Sequence, residues 1–140
     1  MQTHTSDSSS EFEAVESDGV LRLTIQRESR RNAINPAVMT GLAEALSQAN
    51  ANRSLRAIVL TGAGDKAFCA GADLHSGQSF SFDYAEPTQG FANLLRVSRQ
   101  LTVPLVARVN GACMAGGMGL MAMCDLAVAA PHAQFGLPEV

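Results

Sequence analysis

This sequence predicts an α/β fold with parallel strands, and three features lead there. Short apolar runs at Ala57 to Leu60, Leu105 to Val109 and Leu126 to Ala130 lack alternation, the pattern of strands covered on both faces. The segments between them space their apolar residues as helices do. Strand and helix therefore alternate along the chain, which calls for crossover connections and a parallel sheet. At 140 residues, 46% of them apolar, the chain can bury one substantial core and is too short for two domains.

Each element has its own signal. Met1 to Ser10 is polar and rich in Ser and Thr, so residues 1–10 are expected to form a disordered leader; without an apolar h-region it is no secretory signal. A short strand around Phe12 to Val15 is followed by the turn sequence Ser17-Asp18-Gly19. Leu21, Leu23 and Ile25 then alternate with Arg22, Thr24 and Gln26, a half-buried strand. Asn35-Pro36 supplies an N-cap and a first helical residue, after which Val38, Leu42, Ala45, Leu46 and Ala49 share one face. Beyond the strand Ala57 to Leu60, the mixed segment His75 to Glu86 reads as a mobile loop. Pro87 opens a second helix with Phe91, Leu94, Leu95 and Leu101 at helical spacing. Asn110-Gly111 ends the next strand, and a Gly-rich helix from Gly116 to Met123 leads to a third buried strand, Leu126 to Ala130.

Composition closes several functional classes. Ten basic against thirteen acidic residues leave a net charge of −3, which provides no cationic footprint for nucleic acid. Lys66 is the single lysine, and no polybasic run would hold a membrane surface. The uncharged stretch Gly111 to Cys124 is too short for a bilayer and is closed by Asp125. Three cysteines with no CxxC fit a reducing compartment, so a cytoplasmic protein is expected. Cys69, Cys113, Cys124 and His75 match no usual zinc spacing, so no metal site is expected and the thiols read as small buried side chains. No GxSxG elbow occurs. His132 reads as a surface turn residue and Asp125 as the anchor of a strand start.

The glycines hold the remaining signal. Gly62-Ala63-Gly64-Asp65-Lys66-Ala67 fits a GxGxxA pattern, yet Gly71 stands where a nucleotide-binding helix would have to begin, so a plain turn is expected. Two strands are each followed by small residues opening a predicted helix: Cys69-Ala70-Gly71-Ala72-Asp73 and Ala115-Gly116-Gly117-Met118-Gly119. Small residues let a ligand approach the backbone, and two N–H groups aimed at one point form an oxyanion hole. Residue types alone favour the plainer alternative of tight turns and close helix–strand packing.

Four motifs in order shift that balance. Ala67-Phe68-Cys69-Ala70-Gly71-Ala72-Asp73-Leu74, then Val109-Asn110-Gly111 with Gly116-Gly117 and Cys124-Asp125-Leu126, then Phe135-Gly136-Leu137-Pro138-Glu139, resemble three motifs of the crotonase (enoyl-CoA hydratase/isomerase) superfamily. Arg31-Asn32-Ala33-Ile34-Asn35 is similar to its coenzyme A-proximal segment. The resemblance implies a crotonase-like spiral of repeated ββα units, with residues 11–140 as the N-terminal part of an acyl-CoA domain that stops before the C-terminal helical region. It implies that the backbone N–H groups of Ala72 and Gly116 hold the thioester oxygen. By the same likeness, Ala70, Asp73, Leu74 and His75 wall the CoA site, with Arg31 and Ala33 on the facing edge. Coenzyme A would enter as part of the substrate, with no permanently bound cofactor and no metal.

The resemblance also separates reactions. Hydratases of the superfamily carry two glutamates; one matches Glu139, while Gly119 stands at the other position. A single carboxylate can still carry a proton between two carbons, so double-bond isomerisation is expected ahead of hydration. Leu137 and Pro138 would give that base an apolar surround that raises its pKa. The full-length protein is expected to form a homotrimer or a dimer of trimers. A non-catalytic acyl-CoA-binding remnant is the rival reading, because the resemblance covers only the first part of a superfamily member.

Overall fold

The computed structural model describes residues 10–73, 85 and 90–138. Residues 1–9 of the expected leader, Pro87, and all of the His75 to Glu86 loop except Ala85 lie outside them. The chain opens with a hairpin, β1 (Phe12–Ser17) and β2 (Val20–Ile25), paired antiparallel from Phe12↔Ile25 to Ser17↔Val20. Asp18 (φ 53°) and Gly19 (φ 80°) both take positive φ at the bend, the geometry a two-residue hairpin loop demands. Helix α1 (Pro36–Ala49) begins as its sequence requires, with Asn35 Oδ1 accepting from Val38 N at 2.9 Å and Pro36 in the first turn. Its buried face is Val38, Met39, Leu42, Leu46 and Ala49.

The later elements alternate between two sheets. Strands β3 (Ala57–Gly62), β5 (Leu105–Val109) and β7 (Leu126–Ala129) join the hairpin in a sheet ordered β1-β2-β3-β5-β7, parallel from β2 onward. Strands β4 (Ala67–Cys69), β6 (Ala112–Met114) and β8 (Phe135–Gly136) form a second, wholly parallel sheet. With α2 (Gly90–Ser98) and α3 (Gly116–Ala122), the chain order is ββα three times followed by β7-β8. That is the spiral of ββα units the motifs imply. Leu23, Ile25, Ile58, Leu60, Leu105, Ala107 and Val109 turn one face of the large sheet into the core with α1 and with Leu94 of α2. Phe68, Cys69, Cys113 and Leu120 tie the small sheet and α3 to the same core.

Four expectations need correction. The small-residue run Cys69 to Asp73 opens no helix among the described residues: Cys69 ends a strand, and Ala72 makes a single parallel bridge with Ile34. Strands β4, β6 and β8 are two or three residues long, too short for any periodicity to announce them. In α2, Leu94 is buried while Leu95 is exposed, because adjacent helical residues diverge by about 100°. Leu101 lies past the helix end. Finally, β7 is exposed along its length, with Leu126 at 63% and Val128 at 66%; it pairs with β5 on one side and nothing described covers its faces.

Candidate active site

The site follows from the small parallel sheet. Because β4, β6 and β8 run in the same direction, their C-terminal ends emerge at one edge, where binding sites of parallel sheets gather. Ala70 to Asp73 leave from β4, Ala115 and α3 from β6, and Leu137-Pro138 from β8. Two donors thereby approach each other: a Cβ built on Gly116 would lie 3.8 Å from Ala72 N.

Local bonding sets the direction of each donor. Ile34 N donates to Gly71 O at 2.7 Å, and Asp73 N donates to Ile34 O at 2.8 Å. In a parallel bridge these bonds use the residues on either side of Ala72, so Ala72's own N–H points away from Ile34. No hydrogen bond among the described residues uses it. Gly116 is the first residue of α3, whose N–H has no acceptor within the helix. The turn from β6 into α3 is made by Ala115 at φ 51°, ψ −122°, a strained backbone for a residue with a Cβ, held by Ala115 N donating to Gly136 O at 2.9 Å. Gly71, at φ 106°, lets the two segments close: a Cβ there would stand 2.9 Å from Ala115 Cβ.

Beside this pair lies a cleft of about 290 Å³ lined by Ser29, Arg30, Arg31, Ala33, Ala70, Ala72 and Asp73. It brings together five residues singled out from the sequence and adds Ser29 and Arg30. Arg30 and Arg31 are exposed at its rim, a pair of cations suited to an anionic ligand. Asp73 occupies the wall in another sense: its carboxylate is buried and meets Arg27 Nη2 at 2.7 Å. Arg27 Nη1 donates to Ala33 O at 2.6 Å, and its Nε stands 3.4 Å from Glu11 Oε1. One guanidinium thus ties both lips of the cleft together. A larger cleft, about 350 Å³, sits on the open face of the big sheet among Glu13, Arg22, Thr24, Thr61 and Arg108, and holds none of the expected site residues.

Two asparagines that sequence reasoning passed over hold the framework. Asn32 accepts from Arg27 N at 2.9 Å and donates to Ala63 O and Ala67 O at 3.0 and 2.7 Å. Asn110 accepts from Gly62 N at 3.1 Å and donates to Gly64 O and Ala67 O at 2.8 and 3.0 Å. Both are buried, and both converge on the carbonyl of Ala67, where β4 begins. Their signal was position: each is a polar residue inside one of the four motifs. Arg27 carried no such signal.

Other expected residues fall as follows. Leu74, His75 and Glu139 lie outside the described residues. Leu137 is 57% exposed, so the apolar surround expected from Leu137 and Pro138 is not formed by the described residues. Asp125 exchanges two bonds with Leu105, N to O at 2.7 Å and Oδ2 from N at 2.8 Å, which anchors the start of β5. His132 is exposed in a turn, its Nε2 reaching Asp65 O and Asn110 O at 2.7 and 3.0 Å. Burial pushes the Cys69 and Cys113 thiols up to about 11 and Cys124 to about 12, leaving them protonated and unreactive at neutral pH. No three His, Cys, Asp or Glu side chains gather as a metal site among the described residues. No described helix is long and apolar enough to cross a membrane.

Comparison with known proteins agrees with this fold. Residues 15–140 match the family described as enoyl-CoA hydratase/isomerase. A probable enoyl-CoA hydratase of Mycobacterium leprae is 40% identical over 126 residues, 88% of this chain and 49% of that protein. The crystal structure of an enoyl-CoA hydratase from Bacillus anthracis superposes with a TM-score of 0.79 at 31% identity, covering 92% of this chain and 51% of the other. A carnitinyl-CoA dehydratase from Mycobacterium avium superposes with a TM-score of 0.82 at 42% identity, covering 94% and 51%. The chain spans about half the length of the relatives it matches.

Proposed function

The chain belongs to the enoyl-CoA hydratase/isomerase family, and from that membership we propose that it binds an acyl-CoA thioester and moves a double bond along its acyl chain. The thioester oxygen sits between the N–H groups of Ala72 and Gly116, the observation in support being the approach of a Gly116 Cβ to within 3.8 Å of Ala72 N. Each preorganised donor contributes roughly 3 to 4 kcal/mol to an oxyanion that develops there. Glu139 takes a proton from one carbon, the electron pair moves onto the thioester oxygen as a dienolate, and the same carboxyl returns the proton at another carbon. Arg31, with Ala33, Ala70, Asp73, Leu74 and His75, borders the coenzyme A portion, which arrives with the substrate; no resident cofactor or metal is needed. The enzyme acts in the cytoplasm as a homotrimer or dimer of trimers.

The relatives named as hydratases and a dehydratase favour a second reading, hydration of a 2-enoyl-CoA. One experiment separates them. The complete gene product and its Glu139→Gln variant are assayed on 2-enoyl- and 3-enoyl-CoA thioesters. Isomerisation of the 3-enoyl substrate, lowered at least a hundredfold by Glu139→Gln, is expected. Hydration outpacing isomerisation in the unaltered protein would reverse the order, and unchanged turnover in the variant would remove Glu139 from the mechanism.

A further inference from the structure

Helix α3 carries its first N–H, that of Gly116, beside the oxyanion position, and Gly119 lies on the same face one turn further on. What stands over Gly119 is a side chain of another unit. A Cβ built on Gly119 would lie 2.8 Å from Cζ and 3.3 Å from Cε1 of Phe91, the second residue of α2. The tip of the ring therefore already occupies the room into which any side chain at position 119 would grow. Gly117 is fixed by the backbone of Cys69, but at Gly119 the obstacle is this one aromatic ring.

We infer that Phe91 is a specificity-determining residue of this site: its ring takes the place of a side chain at position 119 and presents an apolar edge beside the oxyanion donor. A site water needs two to four polar partners, and a phenyl edge against a glycine supplies none. Hydration requires a held water that adds its oxygen to one carbon and its proton to the next. Isomerisation requires no added atom, since one carboxylate removes and returns the same proton. The Phe91–Gly119 pair thus steers an enoyl thioester toward proton shuttling by keeping water off this face. The inference rests on the acyl-CoA reading above. It also changes what a single substitution can do: a glutamate at 119 would run into Phe91.

The test uses the complete gene product with Gly119→Ala, Gly119→Glu and Phe91→Ala, alone and with each Gly119 substitution combined with Phe91→Ala. Three quantities are read: Tm, calorimetric binding of a saturated acyl-CoA, and the ratio of hydration to isomerisation. Gly119→Ala is expected to lower Tm when Phe91 is present and to leave it unchanged in the Phe91→Ala background. Phe91→Ala/Gly119→Glu is expected to hydrate a 2-enoyl-CoA at least tenfold faster than Gly119→Glu alone. If Gly119→Glu alone hydrates as fast as the double variant and melts like the unaltered protein, the ring does not hold that space and the inference fails. Absence of acyl-CoA binding by the unaltered protein would instead overturn the acyl-CoA reading, whereas the coupling in Tm tests the Phe91–Gly119 contact by itself.

Discussion

At the scale of single residues, neighbouring glycines in one short helix carry different constraints. A Cβ on Gly116 meets nothing closer than 3.7 Å, so Gly116→Ala fits sterically, yet its methyl would stand 3.8 Å from Ala72 N, in the space proposed for the thioester oxygen. We expect Tm to hold and kcat/KM on an acyl-CoA to fall tenfold or more. A Cβ on Gly117 would stand 2.2 Å from Cys69 O, an atom of the backbone that cannot swing aside. Gly117→Ala should therefore cost about 3 kcal/mol in chemical unfolding of the complete gene product. The buried thiols make a third expectation. Their folded pKa lies above the ordinary thiol value of 9.0, at about 11 for Cys69 and Cys113, because burial disfavours the thiolate. Their contribution is fully present below pH 9 and is lost as pH rises through about 11. Urea midpoints measured from pH 8 to pH 11.5 should fall across that window, and less steeply in Cys69→Ala. A flat profile would show that these thiols do not sense the fold. The sequence singled out Ala72 and Gly116 through motif order and the resemblance it carries, since residue types alone favoured plain turns and close packing. Arg27 was not legible, since an arginine's burial and a carboxylate partner 46 residues away, Asp73, leave no local trace.

At the scale of elements, legibility tracked length and capping. Helix α1 announced itself twice, by the Asn35-Pro36 start and by a full apolar face. Asn35→Ala removes the bond to Val38 N together with the Nδ2 bond to Glu11 at 2.6 Å, and should lower stability by about 1 kcal/mol, read as a shift of the urea midpoint at constant slope. The large-sheet strands were readable because four to six residues suffice for a run or an alternation. The small sheet was not, and it is the one from which the candidate site emerges. Its first strand, β4, is also held from outside the sheet, by the bonds of Asn32 and Asn110 to Ala67 O. The three apolar runs were read correctly as strands and wrongly as covered on both faces: β5 alternates, with Arg108 exposed, β3 has only partly buried Ala57 and Val59 on its other face, and β7 is exposed throughout. An apolar run reports that a face wants cover, not that the described chain supplies it.

At the scale of the whole molecule, Leu126 and Val128 lie exposed on β7, an edge strand whose outer side no described strand pairs, and Phe135 and Leu137 are exposed further along the chain. Expressed by themselves, these 140 residues should self-associate and bind a hydrophobic dye, and Val128→Lys should reduce both, read by sedimentation and by dye fluorescence. A monodisperse polypeptide with no dye uptake would mean that this edge closes upon itself. The ββα order has a consequence for how the chain is made. Val20 pairs with Ala57, Ile58 with Leu105 and Val106 with Leu126, so every strand of the large sheet after the hairpin docks on one already laid down upstream. Among the described residues, only β1 must wait for its first partner, and the turn at Asp18-Gly19 delivers that partner, β2, at once. Growth is thus one-directional, like courses of brick, and a ribosome releasing the chain N-terminus first delivers each course in the order in which it can be set.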